Sequence, residues 1–225
     1  MNSISATALS FLNELKENNN RDWFNANKPA FQKEYNNVKS FFDTVMSHLK
    51  MHDDIERLKM YRIYRDIRFS ADKTPYKTYF SGNFVRATNR LRGGYYLEIS
   101  PNGNSFLAGG FWAPNKEDLF RIRKEFEIDT SEIREIVKAE KFVKHFGRLK
   151  GEALKTAPRG FDKEHPDLDL IRMKQYIVVR EFTDKEVVSP NFLNEIDASF
   201  KAMRPFFDYM SEVLTTDLNG VSIID

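Results

Sequence analysis

The chain has 225 residues, 41% of them apolar and 30% charged, and a formal net charge of +2. This is enough chain for one large domain or two small ones with a sizeable core, and it is neither a disordered composition nor one surrounded by a field that attracts nucleic acid. The absence of cysteine excludes disulfides, iron–sulfur clusters and thiol catalysis, and fits a reducing compartment. The start, Met1-Asn2-Ser3-Ile4-Ser5, has no basic region ahead of its apolar residues, so no secretory signal is expected. No apolar run approaches the roughly 20 residues of a membrane span, and the expected location is the cytoplasm, away from membranes. Twenty Phe and nine Tyr predict an aromatic-rich core.

In chain order, Phe11, Leu12 and Leu15 follow helical spacing after the caps Ser5 and Thr7. Asn18-Asn19-Asn20 ends that helix, and Trp23 and Phe24 anchor the connection. A second helix begins near Asn27-Lys28-Pro29, with the stripe Phe31, Tyr35, Val38, Phe42, Val45 and Leu49. The period then changes. From Tyr61 to Phe69, alternation places Tyr61, Ile63, Arg65, Ile67 and Phe69 on one face, and Arg62, Tyr64, Asp66 and Arg68 on the other, which predicts a strand. Residues 78–86 read as another strand.

Tyr95–Ser100 and Ser105–Trp112 flank Asn102-Gly103, which predicts a hairpin with a two-residue turn at positive φ. That turn sets Tyr96 opposite Gly109 and Tyr95 opposite Gly110, with the rings covering the glycines; a ligand lying close to the backbone is the other use of such a pair. Helical spacing returns at Leu119, Ile122 and Phe126, and again at Ile133, Ile136 and Val137, capped near Asp129 or Thr130. Residues 147–175 are polar, with Pro158, Gly160 and Pro166, and read as a long ordered loop. Gln175–Phe182 is a last strand. Ser189-Pro190 opens a C-terminal helix bearing Phe192, Ile196, Phe200, Met203, Phe207 and Met210, which Pro205 should kink or divide. The expectation is one α+β domain over 1–225, its mostly antiparallel sheet of about five strands lying within 60–112 and 175–183 and packed by N-terminal and C-terminal helices.

Phosphate-cradling and dinucleotide glycine loops, the paired-histidine zinc helix and the hydrolase serine elbow are all missing, so no cofactor is expected. His48 and His52 read as surface residues near a helix end rather than metal ligands. His145 reads as a packed or surface residue. The stretch Asp162–Asp169, with His165, has oxygen and imidazole donors but lacks the glycine and terminal glutamate of a calcium loop; a solvated acidic loop is the plainer reading, and no metal is expected.

Residues 62–77 carry the most chemistry: five cations (Arg62, Arg65, Arg68, Lys73, Lys77) with two anions (Asp66, Asp72). Three readings stay open. The charges pair among themselves as a structural network; or Arg62, Arg68 and Lys73, oriented by Asp66 and Asp72, hold a phosphate, sulfate or carboxylate; or an aspartate tuned by its arginines does acid–base work. Tyr76 and Lys77 stand behind these groups. Arg65, on the mostly apolar face, needs a partner of its own and reads as more structural.

Arg62-x-x-Arg65-Asp66-x-Arg68-Phe69-x-x-Asp72-Lys73-x-x-Tyr76 resembles the signature of a bacterial family, domain of unknown function 2461. Trp23-Phe24-x-x-Asn27-Lys28, Gly94-Tyr95-Tyr96 and Pro158-Arg159-Gly160-Phe161 are similar to its pattern as well, so the likeness covers essentially the whole chain. The resemblance implies a single domain defined by the charged segment, with no reaction or ligand attached. The leading expectation is an anion-binding domain for a phosphate-bearing small molecule, using Arg62, Arg65, Asp66, Arg68, Asp72, Lys73 and Tyr76. The alternatives are a protein-interaction module with a structural ion-pair cluster, and an enzyme acting on a phosphorylated or nucleic-acid substrate.

Overall fold

A computed structural model describes residues 3–224; Met1 and Asn2, on which the targeting-signal reading partly rests, lie outside it. Its described chain is α+β, with a five-stranded antiparallel sheet whose strands follow one another in sequence order. The strands are β1 (Ile55–Met60), β2 (Phe80–Arg86), β3 (Gly94–Ile99), β4 (Ser105–Phe111) and β5 (Tyr176–Phe182). The chain divides into two compact units, one of residues 3–85, 96–107 and 181–198, the other of 86–95, 108–180 and 199–224. β3, β4 and β5 each contribute residues to both.

In the first unit, α1 (Ala6–Glu17) starts where the Ser5 hydroxyl accepts the Ala8 N–H. Buried Glu34 takes the hydroxyls of Ser5 and Thr7 at 2.9 and 3.0 Å, so its charge is compensated. Asn20 caps a short helix the sequence reading missed, α2 (Arg21–Ala26), by accepting the Trp23 N–H. Trp23 rests against Phe11, ring centres 5.8 Å apart. α3 (Lys28–Leu49) has Pro29 in its first turn and buries Phe31, Val38, Phe42, Val45 and Leu49, as its spacing predicts, together with Phe41. Phe41 stacks on Phe192 and Phe42 on Phe84. His52, expected at the surface, is half-buried with Nε2 3.0 Å from Asp197. α8 (Asp184–Val187) is closed by a reciprocal cap between Thr183 and Glu186.

The predicted strand over 61–69 does not form. β1 lies just ahead of it, and 61–79 is an extended excursion closed by a single bridge between Tyr64 and Tyr76. Alternation survives as exposure: Arg62, Tyr64, Asp66 and Arg68 are exposed, while Ile63, Arg65 and Ile67 are not. The period of an extended chain is thus present without the ladder that makes a strand, because Lys73 and Asp66 satisfy backbone groups of the turn instead.

The β3–β4 hairpin has Asn102 and Gly103 at positive φ, 65° and 72°, but its turn is longer than two residues. The Ser105 hydroxyl accepts from the Ser100 N–H and donates to the Ser100 carbonyl, and the Asn104 amide donates to the Pro101 carbonyl. The register shifts accordingly. Tyr95, Leu97 and Ile99 are buried, as are Ser105, Leu107, Gly109 and Phe111, so Gly109 shares the face of Tyr95 rather than of Tyr96.

The second unit explains that glycine. α9 (Phe192–Thr215) packs so closely that a Cβ at Gly109 would meet Met203 Sδ at 2.1 Å, and Tyr95 packs edge-on against Phe200 and Phe207. Gly110, at φ 124°, lets the Tyr176 carbonyl of β5 approach. Neither a covering ring nor a ligand is needed. Pro205 does not divide α9, which runs unbroken through it; Ala202, Met203, Phe206 and Phe207 are buried on either side and offset the lost backbone bond. α4 (Lys116–Ile128) and α5 (Ser131–Lys138) follow their spacing, and α6 (Glu140–Phe146) adds about two turns of helix that include His145. The 147–175 loop holds only the short α7 (Leu168–Ile171). Trp112, at the end of β4, is 66% exposed.

Among the described residues no helix is long and apolar enough to cross a membrane. None of their His, Cys, Asp and Glu side chains gather into a group that would hold a metal ion. The acidic loop is used otherwise: Thr130 and Arg134 bond Asp167 at 2.7 and 2.8 Å, and Arg134 bonds Asp169 at 2.6 Å.

Candidate functional site

The charged excursion is built as a narrow ribbon. Arg65 N–H donates to the Pro75 carbonyl (2.9 Å) and Lys77 N–H to the Ile63 carbonyl (2.7 Å), on either side of the Tyr64–Tyr76 bridge. Pairing in this pattern sends the side chains of Arg65 and Lys77 to the face opposite Tyr64 and Tyr76. Tyr76 anchors the ribbon: it is buried and stacks on Phe24, ring centres 4.0 Å apart and planes 17° apart. Asn19, just past α1, grips the Tyr76 backbone at both ends, donating from Nδ2 to its carbonyl (3.0 Å) and accepting its N–H (3.1 Å).

Between α1 and this ribbon lies a cleft of about 550 Å³. Lys16 and Asn19 line it from the helix end. Arg65, Asp66, Asp72 and Thr74 line it from the outer ribbon, and Tyr76, Lys77, Thr78 and Tyr79 from the return strand. Arg65 Nη1 donates to both the Asp72 carboxylate and the Thr74 hydroxyl. The Thr74 N–H, then Arg65 and the Thr74 hydroxyl, hold the Asp72 carboxyl down at about 2. Asp66 is engaged by Arg68 through two parallel bonds, Nε–Oδ1 2.9 Å and Nη2–Oδ2 2.7 Å, which lower its carboxyl.

Of the residues expected to form the site, the cleft brings together Asp66, Asp72 and Tyr76, and with them Arg65, which had read as more structural. Arg62, Arg68 and Lys73 lie outside its lining. Arg62 is exposed, Arg68 is spent on Asp66, and Lys73 Nζ donates to the Ile67 carbonyl at 3.0 Å. Phe69, at the tip, is 97% exposed.

Behind the cleft stands a half-buried pair whose acid, Glu98, sequence reasoning did not single out. Tyr96 donates its hydroxyl to Glu98, one turn of the pleat along β3. Burial lifts the Glu98 carboxyl above its usual 4.5, against the pull of the Tyr96 hydrogen bond and of Lys77. Burial and the Glu98 hydrogen bond push the Tyr96 hydroxyl up in turn. Tyr61 touches the Tyr96 ring at 6.5 Å and accepts from the Asn83 amide at 2.7 Å. Lys77 Nζ sits over both Tyr61 and Tyr79, at 5.2 and 5.6 Å from the ring centres. A signal for Glu98 was present in the sequence: it is the one acid among the residues of β3, at a position where alternation faces it away from Leu97 and Ile99. Lys16 and Asn19 carried none, since what brings them here is packing between segments 57 residues apart.

A family model described as conserved hypothetical protein (DUF2461) matches residues 7–209. The chain belongs to the DUF2461 family. No curated protein and no solved structure matches it. In this DUF2461 chain the matched region includes every residue that lines the cleft, along with Tyr96 and Glu98.

Proposed function

We propose that the cleft binds a small anionic ligand bearing a phosphate or carboxylate group. One observation carries this reading. Both lining carboxylates already have donors, whereas Nζ of Lys16, Nζ of Lys77 and the Nε and Nη2 of Arg65 have no hydrogen-bond acceptor among the described residues. Three cations thus face one concavity with donors to spare, and the volume is that of a small-molecule site. Asp72 and Thr74 fix one edge of the Arg65 guanidinium, leaving its other edge to meet two oxygens of a planar or tetrahedral anion. Arg68 and Asp66 form the structural part of the cluster, and an exposed pair of that kind adds little stability.

Isothermal titration calorimetry with inorganic phosphate, pyrophosphate and citrate tests the proposal. At least one should bind wild-type protein, and Arg65→Gln should weaken it by about tenfold or more, the worth of a charge-assisted hydrogen bond pair. Equal binding by Arg65→Gln, or no binding of any anion, would overturn it. A single-stranded oligonucleotide belongs in the same titration. Tighter oligonucleotide binding that falls steeply with salt would favour the nucleic-acid reading instead.

A further inference from the structure

Lys77 differs from the other cations of the cleft in its surroundings. Its amine is walled by the Tyr61 and Tyr79 rings, and among the described residues no carboxylate lies within ion-pair distance of it. Glu98, the acid that bears on it, is half-buried and already takes the Tyr96 hydroxyl. Arg62 places a second positive charge near by. Partial burial and a neighbouring cation favour the neutral, nucleophilic form of this amine, against the pull of the two ring faces, and the side chain lines the cleft. Burial lowers the Lys77 ammonium from its ordinary 10.5, Glu98 opposes this, and Arg62 adds to it.

We infer that Lys77 is a nucleophile that forms an imine with the carbonyl group of a small oxo acid whose carboxylate rests on Arg65 and Lys16. This deepens the anion-cleft reading and rests on it. Arg65 and Lys77 leave the same face of the ribbon as diagonal neighbours, a separation of about 7–8 Å at the backbone that a compact oxo acid can bridge between long side chains. In the step itself the amine lone pair adds to the carbonyl carbon while the C=O π pair moves to oxygen. The oxygen then collects both amine hydrogens, carried by water in the cleft, and leaves as water. A C=N bond replaces the C=O bond, and nothing is oxidised or reduced.

The test is reductive trapping. Wild-type protein is incubated at neutral pH with pyruvate, glyoxylate or 2-oxoglutarate and cyanoborohydride, and adducts are located by peptide mass spectrometry. With at least one of them Lys77 should be modified about tenfold or more faster than the exposed Lys50 and Lys163, because the carboxylate held on Arg65 and Lys16 presents the carbonyl to its amine. Citrate should slow that modification, and Lys77→Arg should abolish it while leaving the two reference lysines unchanged. Modification of Lys77 no faster than the references with all three oxo acids would overturn the inference. Calorimetry with phosphate and citrate on the same protein separates the two readings. Anion binding without a Lys77 adduct sinks the nucleophile alone, and absence of both sinks both.

Discussion

Glu98 is a carboxylate held where water is scarce, and its behaviour with pH follows from that. Because burial raises its folded pKa above the usual 4.5, the folded state holds its proton more tightly than the unfolded chain does. Its contribution is therefore fully present below 4.5 and is lost as pH rises through the folded value, so that at neutral pH the ionised side chain weighs against folding. Glu98→Gln keeps an oxygen for the Tyr96 hydroxyl and removes the charge. Melting temperatures measured from pH 4 upward should show the variant gaining on wild type as pH rises; a difference that is flat with pH would remove this account of Glu98. Asp72 is the opposite case, an exposed carboxyl held low by hydrogen bonds, which titrates only near 2.

The ribbon of residues 61–79 depends on one stack more than on its charges. Tyr76 lies flat on Phe24, and Asn19 ties the same residue to the end of α1. Tyr76→Ala should cost about 3–5 kcal/mol in denaturant unfolding, as for other large aromatic truncations in a core. Tyr76→Phe, whose hydroxyl has no hydrogen-bond partner among the described residues, should stay within about 0.5 kcal/mol. A small loss for the alanine variant would mean that the ion pairs, not the ring, hold the ribbon. Helices were legible wherever an apolar stripe kept its spacing, as in α3, α4 and the long α9. The hairpin was legible at Asn102-Gly103, though not its register, because a serine and an asparagine lengthen the turn through side-chain bonds. The strand expected at 61–69 failed since alternation reports an extended chain, and whether a neighbour completes its ladder is a tertiary matter. For the candidate site, the dense cations pointed to the segment that supplies much of the cleft lining. Alternation even placed Arg65 inward, yet that inward arginine, not Arg62 or Arg68, turned out to line the cleft, where Lys16 arrives from a distant helix.

At the scale of the whole chain, a net charge of +2 leaves little long-range field, so the proposed anion binding would depend on the local charges of the cleft. The two compact units raise a different question, since β3, β4 and β5 each pass from one into the other. Because those strands each contribute residues to both units, we propose that the chain unfolds as one cooperative domain. The two tryptophans are placed to decide this: Trp23 belongs to one unit, against Phe11, and Trp112 to the other, largely in water. Trp23→Phe and Trp112→Phe each leave a single emitter, so the fluorescence of either variant follows one unit alone. Coincident midpoints, after allowing for the substitution, are expected, and separated ones would make this two domains. The chain therefore carries its own pair of optical labels, one half-buried and red-shifting on exposure, the other already wet and nearly silent in wavelength, with changes in intensity left to report.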